Sequence, residues 1–329
     1  MALIVDMVLL GLLVCTALAI AYLRDLFAVV MLAGIYGLLS ASLFVALDAV
    51  DVAFTEAAVG AGISPLLMLT TLAFTGRFEQ ANRRRFGLVS FGLVVIVGSL
   101  LILGSFDMPP FGSADAPAHQ HVAPRYLNDS MDEIGIPNVV TSVLASYRAF
   151  DTLGEVAVIF AAGLGVLSLL MTAASAGAKP DEEQPQMNEH KILRVVSKVL
   201  IPPIMIFALY VQFHGEYGPG GGFQAGVIFA ASIILYSMLF GLHLAKKVVN
   251  LTLLQIVAAS GLLLYGTVGL LGILTGENYL SYNALAAHPV AGQHLGIIVI
   301  ELGVGVTVAS VMILIFFSFS GYIAERGGK

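Results

Sequence analysis

Glu56, Asp151, Glu155 and Glu301 are acidic residues set in stretches that are otherwise almost entirely apolar. An ionised side chain at the centre of a bilayer costs at least ~2.5 kcal/mol on insertion scales, so each needs a partner or a task. The task open to a carboxylate there is to bind and release a proton or a cation. Each of the four sits in a distinctive setting.

Glu56 lies in DVAFTEAAVGAGISP, residues 51–65, followed by Gly60, Gly62 and Pro65. Glycine removes side-chain bulk and proline removes a backbone donor, which permits a distorted helix beside the carboxylate, as at many membrane ion sites. A plainer reading is an interfacial carboxylate with glycines for close helix packing. Arg148, Asp151 and Glu155 follow i, i+3, i+7 spacing and would share one helix face, as an ion cluster or as the lining of a proton path. His294 and Glu301 are likewise seven residues apart, placing Glu301 two turns, roughly 10 Å, below the end of its helix. His288 and His294 are not read as a metal site.

The run Phe213-His-Gly-Glu-Tyr-Gly-Pro-Gly-Gly-Gly-Phe-Gln-Ala-Gly226 is rich in turn residues. Gly220 to Ala225 formally fits a dinucleotide fingerprint, but that motif needs a strand before it and a βαβ context. Here it falls between apolar stretches, so Gly220, Gly221 and Gly222 are expected to form a tight structural loop that lets neighbouring elements approach closely. His214 and Glu216 are expected as an exposed loop pair that could guard an ion entrance.

These residues must be positioned by membrane helices. Hydrophobic residues make up 58% of the 329 positions and charged residues 11%, less than half the ~25% of an ordinary soluble domain. Runs of about 20 apolar residues match the thickness of a bilayer, and in lipid such runs must be helical. The expected fold is all-α and polytopic, with nine spans at 2–22, 26–47, 52–75, 87–106, 150–174, 194–213, 223–244, 251–275 and 294–319. The first run lacks a basic n-region and carries Asp6, so it is expected to be a retained helix. Cys15, the single cysteine, can form no intrachain disulfide.

Of the 15 Lys and Arg, 13 fall in alternate connections or the tail: Arg24; Arg77 and 83–85; Lys179, Lys191, Arg194 and Lys198; Lys246 and Lys247; Arg326 and Lys329. By the positive-inside rule these are cytoplasmic, with the N-terminus outside and the C-terminus inside. A proline-rich outer loop at 107–138 and a polar linker at 175–190 then divide the chain, leaving a membrane helix with its YRAFDTLGE motif at 139–174.

DVAFTEAAVGAGIS resembles the C-terminal end of the large A-type component of Mrp-type multisubunit cation/proton antiporters, and its counterpart in energy-converting membrane-bound hydrogenases. PNVVTSVLASYRAFDTLGEVAVIF resembles the segment that follows it. From Lys191 onward the chain is similar to the Mrp B-type component, most specifically in PPIMIFALYVQFHGEYGPGGGFQAGVIFA. The resemblance implies a fusion, with A-like helices over 1–106 and a B-like four-helix domain over 191–329. It further implies a non-catalytic subunit in a bacterial inner membrane, with Mrp-type partners of A, C, D, E, F and G kinds. Its ions would be protons and Na⁺ or another monovalent cation. No cofactor, metal or nucleic acid is implied. Glu56 and Glu155 would line a proton or cation passage, with Arg148, Asp151, Glu301 and His294 as further candidates. A membrane arm of a redox-driven complex and a purely structural scaffold remain as alternatives.

The charge bias makes a direct prediction. Single cysteines at Ser113 and Asn278 should react with an impermeant thiol reagent added outside intact cells, and one at Gln184 should not. Labelling of Gln184→Cys would reverse the orientation.

Overall fold

In the computed structural model, residues 2–80, 87–110, 112–174 and 191–327 are described. The linker at 175–190, the arginines at 83–85, Lys179, Gln184 and Lys329 lie outside the described residues. Nine helices among the described residues are long and apolar enough to cross a membrane, and no strand occurs there beyond one isolated bridge between Asp25 and Phe78.

The first group of helices is α1 (Ala2–Tyr22), α2 (Leu26–Ala46), and a third crossing built from α3 (Val50–Glu56), a π-helical segment (Ala57–Ile63) and α4 (Ser64–Thr75). The π segment begins directly after Glu56, where the glycines and Pro65 allow a distortion. π turns appear frequently at functional sites. At the other end of these crossings, the Asp25 side chain accepts from the Phe27 amide and binds Arg77, with Nη2–Oδ2 at 2.7 Å. Arg77 holds the Asp25 carboxyl below its ordinary pKa. The next crossing, α5 (Gly87–Ser105), buries no residue in this chain.

The region 107–138 is not plain coil. It contains the short helices α6 (Pro117–Gln120), α7 (Ala123–Asn128) and α8 (Ser130–Glu133). After them, α9 (Val139–Ser142) runs into a π turn (Val143–Tyr147), and Arg148 breaks the helix with φ −119° and ψ 30° before α10 (Ala149–Ala174). Arg148 thus stands at the head of α10, paired with Asp151 three residues on, and Asp151 and Glu155 lie one turn apart within that helix. Thr152 takes up part of the break by donating to the Leu144 carbonyl across the junction at 2.8 Å.

The second group comprises α11 (Lys191–His214), α12 (Gly222–Phe240), the short α13 (Leu242–Val248), α14 (Leu251–Leu274) and α15 (Pro289–Gly327). The span expected at 223–244 is interrupted at Gly241, whose φ of +89° lies in the region that favours glycine. The last helix is the hub of the molecule. It packs against α10, α12 and α14, and also touches α4 and α11.

Lipid supplies no hydrophobic drive between helices, so packing depends on close backbone approach. A Cβ on Gly261 of α14 would sit 2.5 Å from the Gly303 carbonyl of α15, and one on Gly226 of α12 would sit 2.6 Å from the Gly305 carbonyl. Buried hydroxyls reinforce these crossings. Tyr265 and Tyr282, both fully buried, donate to the carbonyls of Ala149 and Ala145 at 2.7 and 2.9 Å. They thus hold the start of α10 and the π turn before it.

Gly303→Val is expected to force α14 and α15 apart and cost about 1–3 kcal/mol. Gly165→Ala, which meets no atom within 4 Å, should be neutral or better. Thermal unfolding of the two purified variants checks this, and equal midpoints would contradict it.

Candidate functional site

The chain folds three carboxylates onto one cleft. Its walls are Asp51 and Thr55 from α3, Thr141 and Leu144 beside the π turn, Thr152 and Glu155 from α10, Gly220 to Gln224, and Ile300, Glu301 and Val304 from α15. The volume, about 130 Å³, is enough for several water molecules, each with polar partners on the walls. No lysine or arginine is among the lining residues.

Each acid is held differently. Asp51 accepts from the Gly220 amide at 3.3 Å and from the Asn138 side chain at 3.4 Å. Asn138 also donates to the carbonyls of Gly215 and Gly218, both at 3.0 Å, while its own oxygen caps α9 at the Val140 amide. One side chain thus ties α3, the glycine loop and α9 together. Thr141 adds a 2.6 Å bond to the Gly215 carbonyl.

Glu301 is seated on the glycine loop. A Cβ on Gly221 would lie 3.1 Å from Oε1 of Glu301, and one on Gly215 would lie 3.3 Å from Oε2. Gly221 also has φ +122°, so the loop needs glycine there for conformation as well as for space. The loop residues Gly220, Gly221 and Gly222 therefore do two things. They give the close approach expected of them, and they form a wall of the cleft.

The remaining residues fall in other places. Arg148 and Asp151 pair with each other, with Nε donating to Oδ2 at 2.6 Å, and both are exposed and outside the cleft. Glu56 is half-buried at the end of α3, its carboxylate against Gly60 where α2 and the π segment cross, and it does not line the cleft either. Glu216 is 8% exposed rather than an exposed loop residue, and it pairs with His294 at 3.2 Å, not with His214. His214 stacks instead on Tyr210, ring centroids 4.8 Å apart.

Three contributors were not singled out from the sequence: Asp51, Asn138 and Gln224. The signal for Asn138 was its place after Pro137 and before an apolar run, an N-cap pattern. Among the described residues no group of three or more His, Cys, Asp and Glu is gathered tightly enough to hold a metal ion.

An anchor outside the membrane spans holds the rim. Glu133 accepts from Arg125 and from the Tyr147 hydroxyl, and the Arg125 guanidinium lies 5.5 Å from the Tyr147 ring centre. The Tyr147 hydroxyl, then Arg125, hold the Glu133 carboxyl below its ordinary pKa, and burial with the Glu133 bond pushes Tyr147 up to about 12. Because the Glu133 pKa is depressed in the folded state, the anchor's contribution is present above the ordinary carboxylate range and lost as pH falls through the folded value.

Comparison with known proteins gives a consistent set of relatives. Residues 192–314 match the domain related to the MnhB subunit of Na⁺/H⁺ antiporter. Residues 11–77 match the MbhD family and residues 84–184 the MbhE family, both of them MBH subunits. A Rhizobium meliloti (strain 1021) protein named as an A/B-type K⁺/H⁺ antiporter component is 27% identical over 91% of this chain. Antiporter subunit mnhB2, as named in Staphylococcus haemolyticus (strain JCSC1435), is 31% identical over 40% of this chain and 94% of its own length. In the solved Mrp complex from Dietzia sp. DQ12-45-1b, one chain is similar over 95% of this one, with TM-score 0.78 and 26% identity. A chain of the archaeal membrane-bound sulfane sulfur reductase shares the fold over 71% of this chain, with TM-score 0.55 and 24% identity. The present chain spans about a third of the Rhizobium and Dietzia chains, 32% and 34%.

Asn138→Ala is expected to leave the Gly218 carbonyl without its Asn138 donor, to take one of two donors from the Gly215 carbonyl and to remove a cap, lowering stability by about 1–3 kcal/mol. The unfolding midpoint of the purified protein reads this directly, and an unchanged midpoint would show that Asn138 does not hold the site together.

Proposed function

This chain belongs to the family of Mrp-type antiporter subunits, and from that premise we propose that it is a non-catalytic membrane subunit lining an ion passage in a multisubunit monovalent cation/proton antiporter. The observation that carries the proposal is the cleft shared by Asp51, Glu155 and Glu301, brought from three separate helices with no basic residue on its walls among the described residues. A protein that only packs has no need to gather three acids around a polar groove at this cost. Carboxylates spaced along a wetted cleft can pass protons among themselves, or lend oxygens to a partly dehydrated cation. Na⁺ is the cation we assign, with subunits of the A, C, D, E, F and G kinds as partners and a bacterial inner membrane as the site, the N-terminus outside.

Glu56 is a second station in the same proposal. Its carboxylate lies against Gly60 and stands where the π segment loosens the helical ladder. Arg148 and Asp151 satisfy each other at the surface, and we assign that pair to positioning the start of α10.

A redox-driven membrane arm is the second reading, favoured by the matches to the MbhD and MbhE families. Purifying the native complex separates the two. Small antiporter subunits co-purifying support the first reading, and hydrogenase-type subunits support the second. Partner dependence follows from the likeness to components of multisubunit complexes, so the purified single chain in liposomes is expected to show no cation/proton exchange. Exchange by the single chain would overturn the assignment to a larger assembly.

Glu155→Gln and Glu301→Gln keep shape and remove the titrating group. In a complex shown intact on a native gel, each is expected to cut exchange in inverted vesicles by roughly tenfold or more. Glu56→Gln should also reduce exchange, with Glu56→Asp retaining part of it. Full activity in an assembled Glu155→Gln/Glu301→Gln double variant would leave only a scaffold.

A further inference from the structure

Glu216 and His294 form a contact that the proposed passage does not yet use, and its geometry constrains where protons can sit. His294 Nε2 is 3.1 Å from the Gly135 carbonyl, and its Nδ1 is 3.2 Å from Oε2 of Glu216. A carbonyl oxygen can only accept, so Nε2 must carry a hydrogen. Nδ1 then has two ways to satisfy the contact with Glu216. Either a neutral imidazole accepts from the carboxylic acid, or an imidazolium donates to the carboxylate. Both arrangements contain one proton between the two residues, and both are neutral overall.

Other proton counts are unfavourable. With no shared proton, a lone pair faces a carboxylate at hydrogen-bond distance. With two, an imidazolium faces a neutral acid and has no counter-charge. The acids that face the pair are Glu301 on α15 and Asp51 on α3, both within electrostatic reach of one another. Glu133, next to the Gly135 segment, is already engaged by Arg125 and Tyr147, and His214 is stacked on Tyr210.

Two further features make the pair a route rather than a clasp. The side chain of His294 is 34% exposed and that of Glu216 only 10%, so the pair reaches from the surface inward. Oε1 of Glu216 is buried and has no hydrogen-bond partner among the described residues, an unusual state for an acceptor of this kind. Glu301 lies against Gly215, the residue preceding Glu216 in the chain.

We propose that Glu216 and His294 hold one shared proton beside the cleft, carried on Glu216 as the carboxylic acid that donates to His294, and deliver it to Glu301. The step rests on the ion-passage reading of the cleft. It is a proton transfer and nothing more: the bond from Glu216 oxygen to hydrogen breaks and a bond from a Glu301 carboxylate oxygen to hydrogen forms, and a hydronium ion from the solvent at the exposed edge of the pair then protonates Glu216 again, leaving water. The Gly135 carbonyl is the positioning group, since it fixes the tautomer.

The test uses the complete complex in inverted vesicles. Glu216→Gln preserves the contact, because its amide can donate to a neutral Nδ1, but it removes the mobile proton. Exchange is expected to fall roughly tenfold or more and its pH dependence to flatten, with Glu216→Gln/His294→Gln no worse than either single change. Infrared spectra of the wild-type complex should show a protonated carboxyl band that Glu216→Gln removes and His294→Gln shifts. A wild-type rate and pH profile for Glu216→Gln, while Glu301→Gln is inactive, would overturn the pair and leave the cleft standing. Wild-type behaviour of both variants would remove the cleft reading and the pair together. If Glu216→Gln does not assemble, the His294→Gln spectrum decides, and an unshifted carboxyl band overturns the proposal.

Discussion

The architecture turns on the seat of the glycine loop against the last helix. A Cβ on Gly222 would fall 3.0 Å from the carbonyl carbon of Glu301 and from the amide nitrogen of Gly305, so loop and helix meet backbone to backbone. That approach places the Glu301 carboxylate between Gly215 and Gly221 and sets the loop beneath Asp51 and Asn138. With larger residues at these positions, α12 could not approach α15, and no cleft would remain between α3, α10 and α15. The same glycines that would be mere turn residues in a soluble protein here substitute for the missing hydrophobic drive between membrane helices.

A polar cleft inside lipid carries a strict condition: every backbone group near it must be satisfied internally. The chain meets that condition with side chains from distant segments. Thr152 bonds across the break at Arg148, and Tyr282 and Tyr265 cap the carbonyls of Ala145 and Ala149. The π segment before Arg148 is thereby held in non-α geometry by tertiary contacts, while the one after Glu56 sits where Gly60, Gly62 and Pro65 loosen the helix. Interruptions of this kind next to acidic groups are the common structural language of membrane ion sites.

Much of this was legible in the sequence, for identifiable reasons. Apolar runs of bilayer length dictate helices, and the Gly60–Pro65 pattern marked the distortion after Glu56. The resemblance of YRAFDTLGE and PGGGFQAG stretches pointed to the family that the relatives share. What was not legible depends on contacts between residues far apart in the chain. Helical spacing placed Arg148, Asp151 and Glu155 along one helix, but it could not say that Glu155 would line the cleft while the other two pair outside it. Glu216 read as an exposed loop acid because nothing local says that 78 residues later a histidine will close over it. Asp51 looked like an ordinary acid at a helix start, since its partners lie 87 and 169 residues away.

The central claim is that the cleft between Asp51, Glu155 and Glu301 is a hydrated ion passage when the partner subunits are in place. A structure of the assembled complex at a resolution that shows water tests it most directly. The account predicts ordered water joining Glu155 to Glu301, with a path outward past Glu216 and His294. A cleft filled by a partner's apolar side chain or by a lipid tail, dry between the acids, would contradict it.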